Sequence, residues 1–132
     1  MRIVKFRVWN DLLKNYLPDD SVCILPNGDI VLYNLAAMIA AYKRPSDMLE
    51  GENTVERFTD LKDKNGTEIY EGDILIDDTG EPIEYWVVKF ADGGFVGECA
   101  GVAEALFELT NLEVVGNIHE NVELLKEKKC VK

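Results

Sequence analysis

The sequence predicts a mainly β protein with a minor helical part, its C-terminal portion closing into a small, strongly bent barrel. Three observations point there. Short apolar runs recur at regular spacing after residue 58. Turn segments rich in Gly, Asn and Asp separate them. One stretch, Phe58–Ile76, packs two sharp turns and the start of a strand into nineteen residues.

Taken in order, residues Ile3–Trp9 alternate with Val4, Phe6 and Val8 on one side, which predicts a strand with one apolar face. Asn10-Asp11 closes it, residues 12–20 are ambiguous, and Pro18-Asp19-Asp20 reads as a loop. Val22–Leu25 and Ile30–Tyr33 flank Pro26-Asn27-Gly28-Asp29, a hairpin signal. Asn34 can cap a short helix over Leu35–Lys43, with Leu35, Met38, Ile39 and Tyr42 on one stripe; Pro45 stops it. The polar residues 44–57 read as a connector. The expected division is therefore 1–57, a strand, hairpin and helix with connector, and 58–132, the barrel with a helical tail.

In the central stretch, Asp63-Lys64-Asn65-Gly66 offers Asn-Gly, the pair best able to take positive φ in a tight turn. Glu71-Gly72-Asp73 repeats the device, with Gly72 as the permissive corner, and Ile74–Ile76 leaves as a strand. Strands are expected at Ile83–Phe90, Phe95–Cys99 and Leu112–Ile118, the first two joined through Ala91-Asp92-Gly93-Gly94. Val102–Leu109 has the alanine and glutamate content of a helical turn. Asn121–Lys129 predicts a C-terminal helix, with Asn121 as its cap and lysines placed for the dipole.

Composition excludes several function classes. No apolar run approaches the ~18–20 residues of a membrane span, and the N-terminus lacks the apolar region of a signal peptide. Cys23, Cys99 and Cys130 are odd in number and widely spaced, which argues for free thiols in a reducing cytoplasm. Residues 1–44 carry six Lys/Arg against four Asp/Glu, a net of +2. Residues 45–132 carry eight against twenty-one, a net of −13, so the whole chain stands at −11. Such an acidic body repels phosphate backbones and argues against direct nucleic-acid binding. The same imbalance fits either plain solubility or a surface that imitates DNA.

Chemistry finds little purchase. Aligning Gly66 with the glycine of a calcium loop puts Leu61 and Gly72 where acidic ligands are required. Asp92-Gly93-Gly94 lacks the Lys-Ser/Thr ending of a phosphate loop. His119 is the single histidine, and a solvent-facing or capping role is expected of it. No metal site, cofactor site or catalytic set is predicted, and the chain is not read as an enzyme. Among the aromatics near the barrel turns, Tyr70, Tyr85, Trp86, Phe90 and Phe95, about half must point inward along alternating strands. Tyr70, beside Glu71, is the best candidate for an exposed contact residue.

Three blocks carry a family resemblance. Ile3-Val-Lys-Phe-Arg-Val-Trp9 at the start, the central Phe58-Thr-Asp-Leu-Lys-Asp-Lys-Asn-Gly-Thr-Glu-Ile-Tyr-Glu-Gly-Asp-Ile74, and Leu112-Glu-Val-Val-Gly-Asn-Ile-His-Glu-Asn-Val-Glu-Leu-Leu125 resemble, in order, the blocks of the YopX family of phage and prophage proteins. His119 and Val122 stand where that family usually has an aromatic and a proline. The resemblance implies an SH3-like barrel in the C-terminal part, agreeing with the strand spacing, and a phage or prophage genome expressed in a bacterial cytoplasm. It brings no catalytic residues. Asp63, Asn65, Gly66, Gly72 and Asp73 are then a structural turn motif, and Tyr70 and Glu71 a candidate interaction surface.

Two functions follow as expectations. The first is a non-enzymatic module that assembles with itself or with a phage or host protein. The second is an acidic decoy that inhibits a host DNA-handling enzyme.

Overall fold

A computed structural model describes residues 5–17, 22–24, 30–32 and 53–127, with the backbone alone at 22–24, 30–32 and 126–127. The described chain is mainly β, with one short helix and sheets curled into a half-barrel. Its strands are β1 (Phe6–Asn10), β2 (Asn15–Tyr16), β3 (Val22–Ile24), β4 (Ile30–Leu32), β5 (Asn53–Lys62), β6 (Glu68–Tyr70), β7 (Asp73–Asp77), β8 (Glu84–Ala91), β9 (Gly94–Cys99), β10 (Val102–Ala105) and β11 (Glu113–Asn117). A 3-10 turn, Leu106–Leu109, follows β10, and helix α1 spans Val122–Glu127. The helix expected at Leu35–Lys43 lies outside the described residues. The chain forms two compact units, Met1–Phe6 with Glu56–Lys132, and Arg7–Val55.

In the Arg7–Val55 unit, β1 and β2 pair antiparallel through Trp9↔Tyr16 and Asn10↔Asn15. The one-faced strand expected here is not found: Val8, Trp9 and Asn10 are all buried. Tyr16 covers the Trp9 ring edge-on at 5.0 Å, and Arg7 stacks on Tyr16 at 4.4 Å. Asn10 survives burial because its polar atoms are used. Its Oδ1 accepts from the Leu12 and Leu13 N–H groups, and its Nδ2 donates to Asn53 Oδ1. The β3–β4 hairpin forms as the sequence predicts, with Cys23 opposite Val31.

The other unit is built on a five-stranded antiparallel sheet of order β10-β9-β8-β7-β11, together with the β5–β6 hairpin. Its core is Ile69, Leu75, Trp86, Val88, Cys99, Leu106, Leu109 and Leu112. Gly97 on β9 is where the 3-10 turn rests: a Cβ there would run into Leu109 Cδ1 and touch Trp86 Cε3 at 3.5 Å. Bare backbone lets Leu109 reach the core.

Three elements differ from expectation. Residues 53–57 are not a connector but the start of β5. The strand period is hidden there because Glu56, a charged residue, takes a buried position at 3 % exposure. Residues 102–105 are the strand β10, closed onto β9 by Ala100-Gly101, both at positive φ (51° and 86°); only Leu106–Leu109 is helical. Cys99 is disulfide-bonded, contrary to the expectation of free thiols. The turn Asp92-Gly93 takes φ of 54° and 84° and joins β8 to β9, as the sequence indicates.

Candidate interaction surface

The central turn motif is the scaffold. Asp63 ends β5 with its carboxylate buried among backbone donors. Oδ1 accepts from the N–H of Asn65 (2.8 Å) and Thr67 (2.9 Å), and Oδ2 from the N–H of Val114 on β11 (2.8 Å). One side chain thus closes the β5–β6 turn and ties it to β11. Burial pushes this carboxyl up, but the Val114, Thr67 and Asn65 donors, helped by Lys64, outweigh it and hold it below the ordinary carboxylate range. Gly66 supplies the positive φ, 84°, while Asn65 remains outside the left-handed region. The result is a turn closed by Gly66 N–H to the Asp63 carbonyl (3.0 Å), not a pair of left-handed residues.

The second turn is built the same way. Asp73 Oδ2 accepts from Tyr70 N–H at 2.8 Å, and Gly72 takes φ 88°. Gly72 N–H donates to the Val88 carbonyl and its own carbonyl accepts from Ile118 N–H, both at 2.9 Å, so this corner links β8 to the segment after β11. Beneath it Glu56 Oε2 meets His119 Nε2 at 2.8 Å. His119 is therefore the partner of a buried carboxylate, with a side chain only 16 % exposed, and not a solvent-facing residue. Asn121 accepts from Asn117 N–H through Oδ1 (3.1 Å), tying β11 to the start of α1.

Outside this scaffold lie two groups of rings and cations, carried by the consecutive β5 positions Phe58 and Arg57, whose side chains alternate in face. Along β5, the bulge at Asp60 (φ 71°) interrupts the pairing with β6, and the Thr59 hydroxyl bonds the Ile69 carbonyl at 2.7 Å. On the regular side of the bulge, Phe58 packs on Tyr70 with centroids 5.4 Å apart, and Lys5 sits over Phe58 while pairing with Glu68. In the second group, Arg57 lies over Phe90 at 4.2 Å and Phe95 at 5.5 Å, and those rings meet edge-to-face at 5.1 Å. Arg57 also forms a two-pronged bond with Glu71, at 3.2 Å and 2.8 Å, whose Oε1 accepts the Arg57 N–H as well. The bond to Glu71 raises the Arg57 pKa. Burial pushes the Glu71 carboxyl up, yet the Arg57 side chain and N–H bring it below its ordinary range.

Of the two contact residues read from sequence, Tyr70 is half-buried and Glu71 is engaged by Arg57. The most exposed ring of the two groups is Phe90, at 43 %. Arg57, which organises it, escaped the sequence reading because 44–57 looked like a connector. No apolar alternation upstream of Phe58 could have revealed it, because Glu56 and Thr54 continue the Phe58 face. Among the described residues no three His, Cys, Asp or Glu side chains cluster as metal ligands. No helix among them is long and apolar enough to cross a membrane.

The family model described as YopX protein matches residues 5–126. The chain belongs to the YopX family. The match spans both turn motifs and every strand above. The crystal structure of protein EF1440 from Enterococcus faecalis resembles this YopX-family chain with a TM-score of 0.66 and 28 % identity, covering 95 % of this chain and 99 % of that one. No curated protein matches the chain.

Proposed function

We propose that this YopX-family chain is a phage- or prophage-encoded, non-enzymatic protein-interaction module. In this reading its C-terminal part is a small SH3-like barrel that works in the bacterial cytoplasm, a location that rests on the family resemblance and not on the cysteines, since Cys99 is bridged. The observation that carries it is the Arg57–Phe90–Phe95 group, with Arg57 oriented by Glu71. An arginine held over aromatic rings and oriented by a carboxylate is a preformed contact site of the kind that dominates protein interfaces. Its partner is a phage or host protein, or a second copy of the chain.

A tagged chain used on host lysate tests this, with Phe90→Ser as the comparison. A defined partner captured by the wild type and reduced about tenfold or more by Phe90→Ser is the expected result, since such contact residues contribute about 2 kcal/mol or more. Equal recovery by both proteins overturns the assignment.

The net of −13 after residue 44 supports a second reading, an acidic DNA mimic acting on a host DNA-handling enzyme. Capture of a nuclease or polymerase that duplex DNA competes away would favour it. The pairing of Glu68, Glu71 and Glu98 with Lys5, Arg57 and Lys89 speaks against it, because neutralised acids do not imitate phosphates.

A further inference from the structure

The five-stranded sheet ends at β10, and no described strand pairs with the outer edge of β10. Val102, Ala103 and Glu104 are exposed, and so is Phe107 just beyond, at 67 %. An open edge presents unpaired N–H and C=O groups, and proteins ordinarily blunt it with lysine, proline, a bulge or an inward charge. This edge has no lysine, proline or bulge; its protections are its length of four residues and the charge of Glu104. Its ladder to β9 is regular from Val102↔Cys99 to Ala105↔Val96, and residues 101–107 contain no Lys, Arg or Pro. In a two-residue hairpin the closing pair, Cys99 and Val102, is the hydrogen-bonded one. Val102 and Glu104 therefore turn their backbone groups toward β9, and Ala103 and Ala105 turn theirs outward. The outward positions carry alanines, the smallest side chains on the strand, so β10 itself puts no bulk before an approaching backbone.

Charge decides what approaches. Glu98 on β9 is paired with Lys89, whereas Glu104 on β10 and Glu108 beside Phe107 make no ion pair among the described residues. A second copy would set its own Glu104 and its own net charge of −11 against these acids.

We propose that the β10 edge is a docking site that takes an extended basic segment of another protein as a sixth strand. Backbone bonds to Ala103 and Ala105 supply affinity, and lysine or arginine facing Glu104 and Glu108 supplies selection. The proposal rests on the interaction-module reading and gives it a second contact.

The test uses the full chain and a blocked alternating Lys-Val hexapeptide, followed by NMR and amide hydrogen exchange. Saturable binding is expected, with the Ala103 and Ala105 amides gaining protection and affinity falling as salt is raised. Ala103→Pro, which removes the outward N–H, and Glu104→Lys each weaken binding about tenfold. Shifts confined to the acidic 77–84 segment, or unchanged affinity in both variants, overturn the proposal. So does a concentration-dependent dimer that Ala103→Pro dissolves, which would make the occupant a second copy. If Phe90→Ser abolishes lysate capture while the peptide leaves β10 untouched, this site fails and the module stands. If the peptide binds β10 but the lysate yields no partner, the edge stands and the module fails.

Discussion

Replacing Asp63 by alanine is expected to destabilise the protein by about 3 kcal/mol, as the midpoint shift in urea unfolding at pH 7 would show. The change strips one carboxylate from three backbone N–H groups. Asn65 and Thr67 are exposed and recover water; Val114 N–H lies in the sheet and does not. The loss therefore sits below the sum of three charged hydrogen bonds, each worth about 1.5–3 kcal/mol. Its pH dependence follows from the lowered pKa. The folded carboxyl titrates below its unfolded value, so its contribution is complete above the unfolded pKa of about 3.9 and is lost as pH falls through the folded one. The gap between wild type and Asp63→Ala should close on going from pH 5 toward pH 2. A gap that stays constant over that range would remove the carboxylate from the explanation. Asp63→Asn, which keeps one acceptor and loses the charge, should fall between the two proteins.

Gly72→Ala is expected to be at least as damaging, about 3–5 kcal/mol, for two separable reasons. A φ of 88° is a left-handed conformation that costs a residue with a Cβ about 1–2 kcal/mol. The added Cβ would also collide with Glu56 Oε2. A carboxylate tip normally swings aside at little cost, but this one is buried and bonded to His119. Moving it breaks the bond to His119 in the interior. Gly66→Ala provides the control, because Gly66 has φ 84° with nothing within 4 Å of its Cβ position. It should show only the backbone cost, about 1–2 kcal/mol. If the two alanine variants unfold at the same midpoint, the Glu56 contact contributes nothing.

The parts of the fold that the sequence disclosed are those decided within a few residues. Gly66, Gly72 and Asp92-Gly93 turn where expected because positive φ is a local property, and Asp63 Oδ1 and Asp73 Oδ2 accept from N–H groups two to four residues away; the Asp63 bond to Val114 is the long-range one. The hidden parts depend on distant neighbours. Glu56 breaks the apolar alternation of β5 and is reconciled to burial by His119, 63 positions away. Trp9 belongs to an apparently outward face until Tyr16 folds over it. Ala100-Gly101 makes a two-residue turn without an Asn-Gly or Asp-Gly signature, so β10 read as helical. The aromatic surface was half legible. Phe90 and Phe95 stood out as rings near turns, but the cation joining them comes from a strand whose first half looked like linker. Cysteine spacing gave no warning of the Cys99 bridge, since a single pairing leaves no repeat to recognise.

The path of the chain around residues 7–55 has a consequence for how this family can vary. Just outside that segment, Phe58 N–H bonds the Lys5 carbonyl at 2.9 Å, so the polypeptide departs from and returns to the Glu56–Lys132 unit at neighbouring points. To that unit the intervening segment is a closed excursion, and lengthening such an excursion carries an entropy penalty that grows only logarithmically, about 0.6 kcal/mol per doubling. Relatives can gain, lose or exchange material there while the Asp63 and Gly72 corners stay unchanged. Sequence drift should therefore run fastest between Arg7 and Val55 and slowest around the two turns.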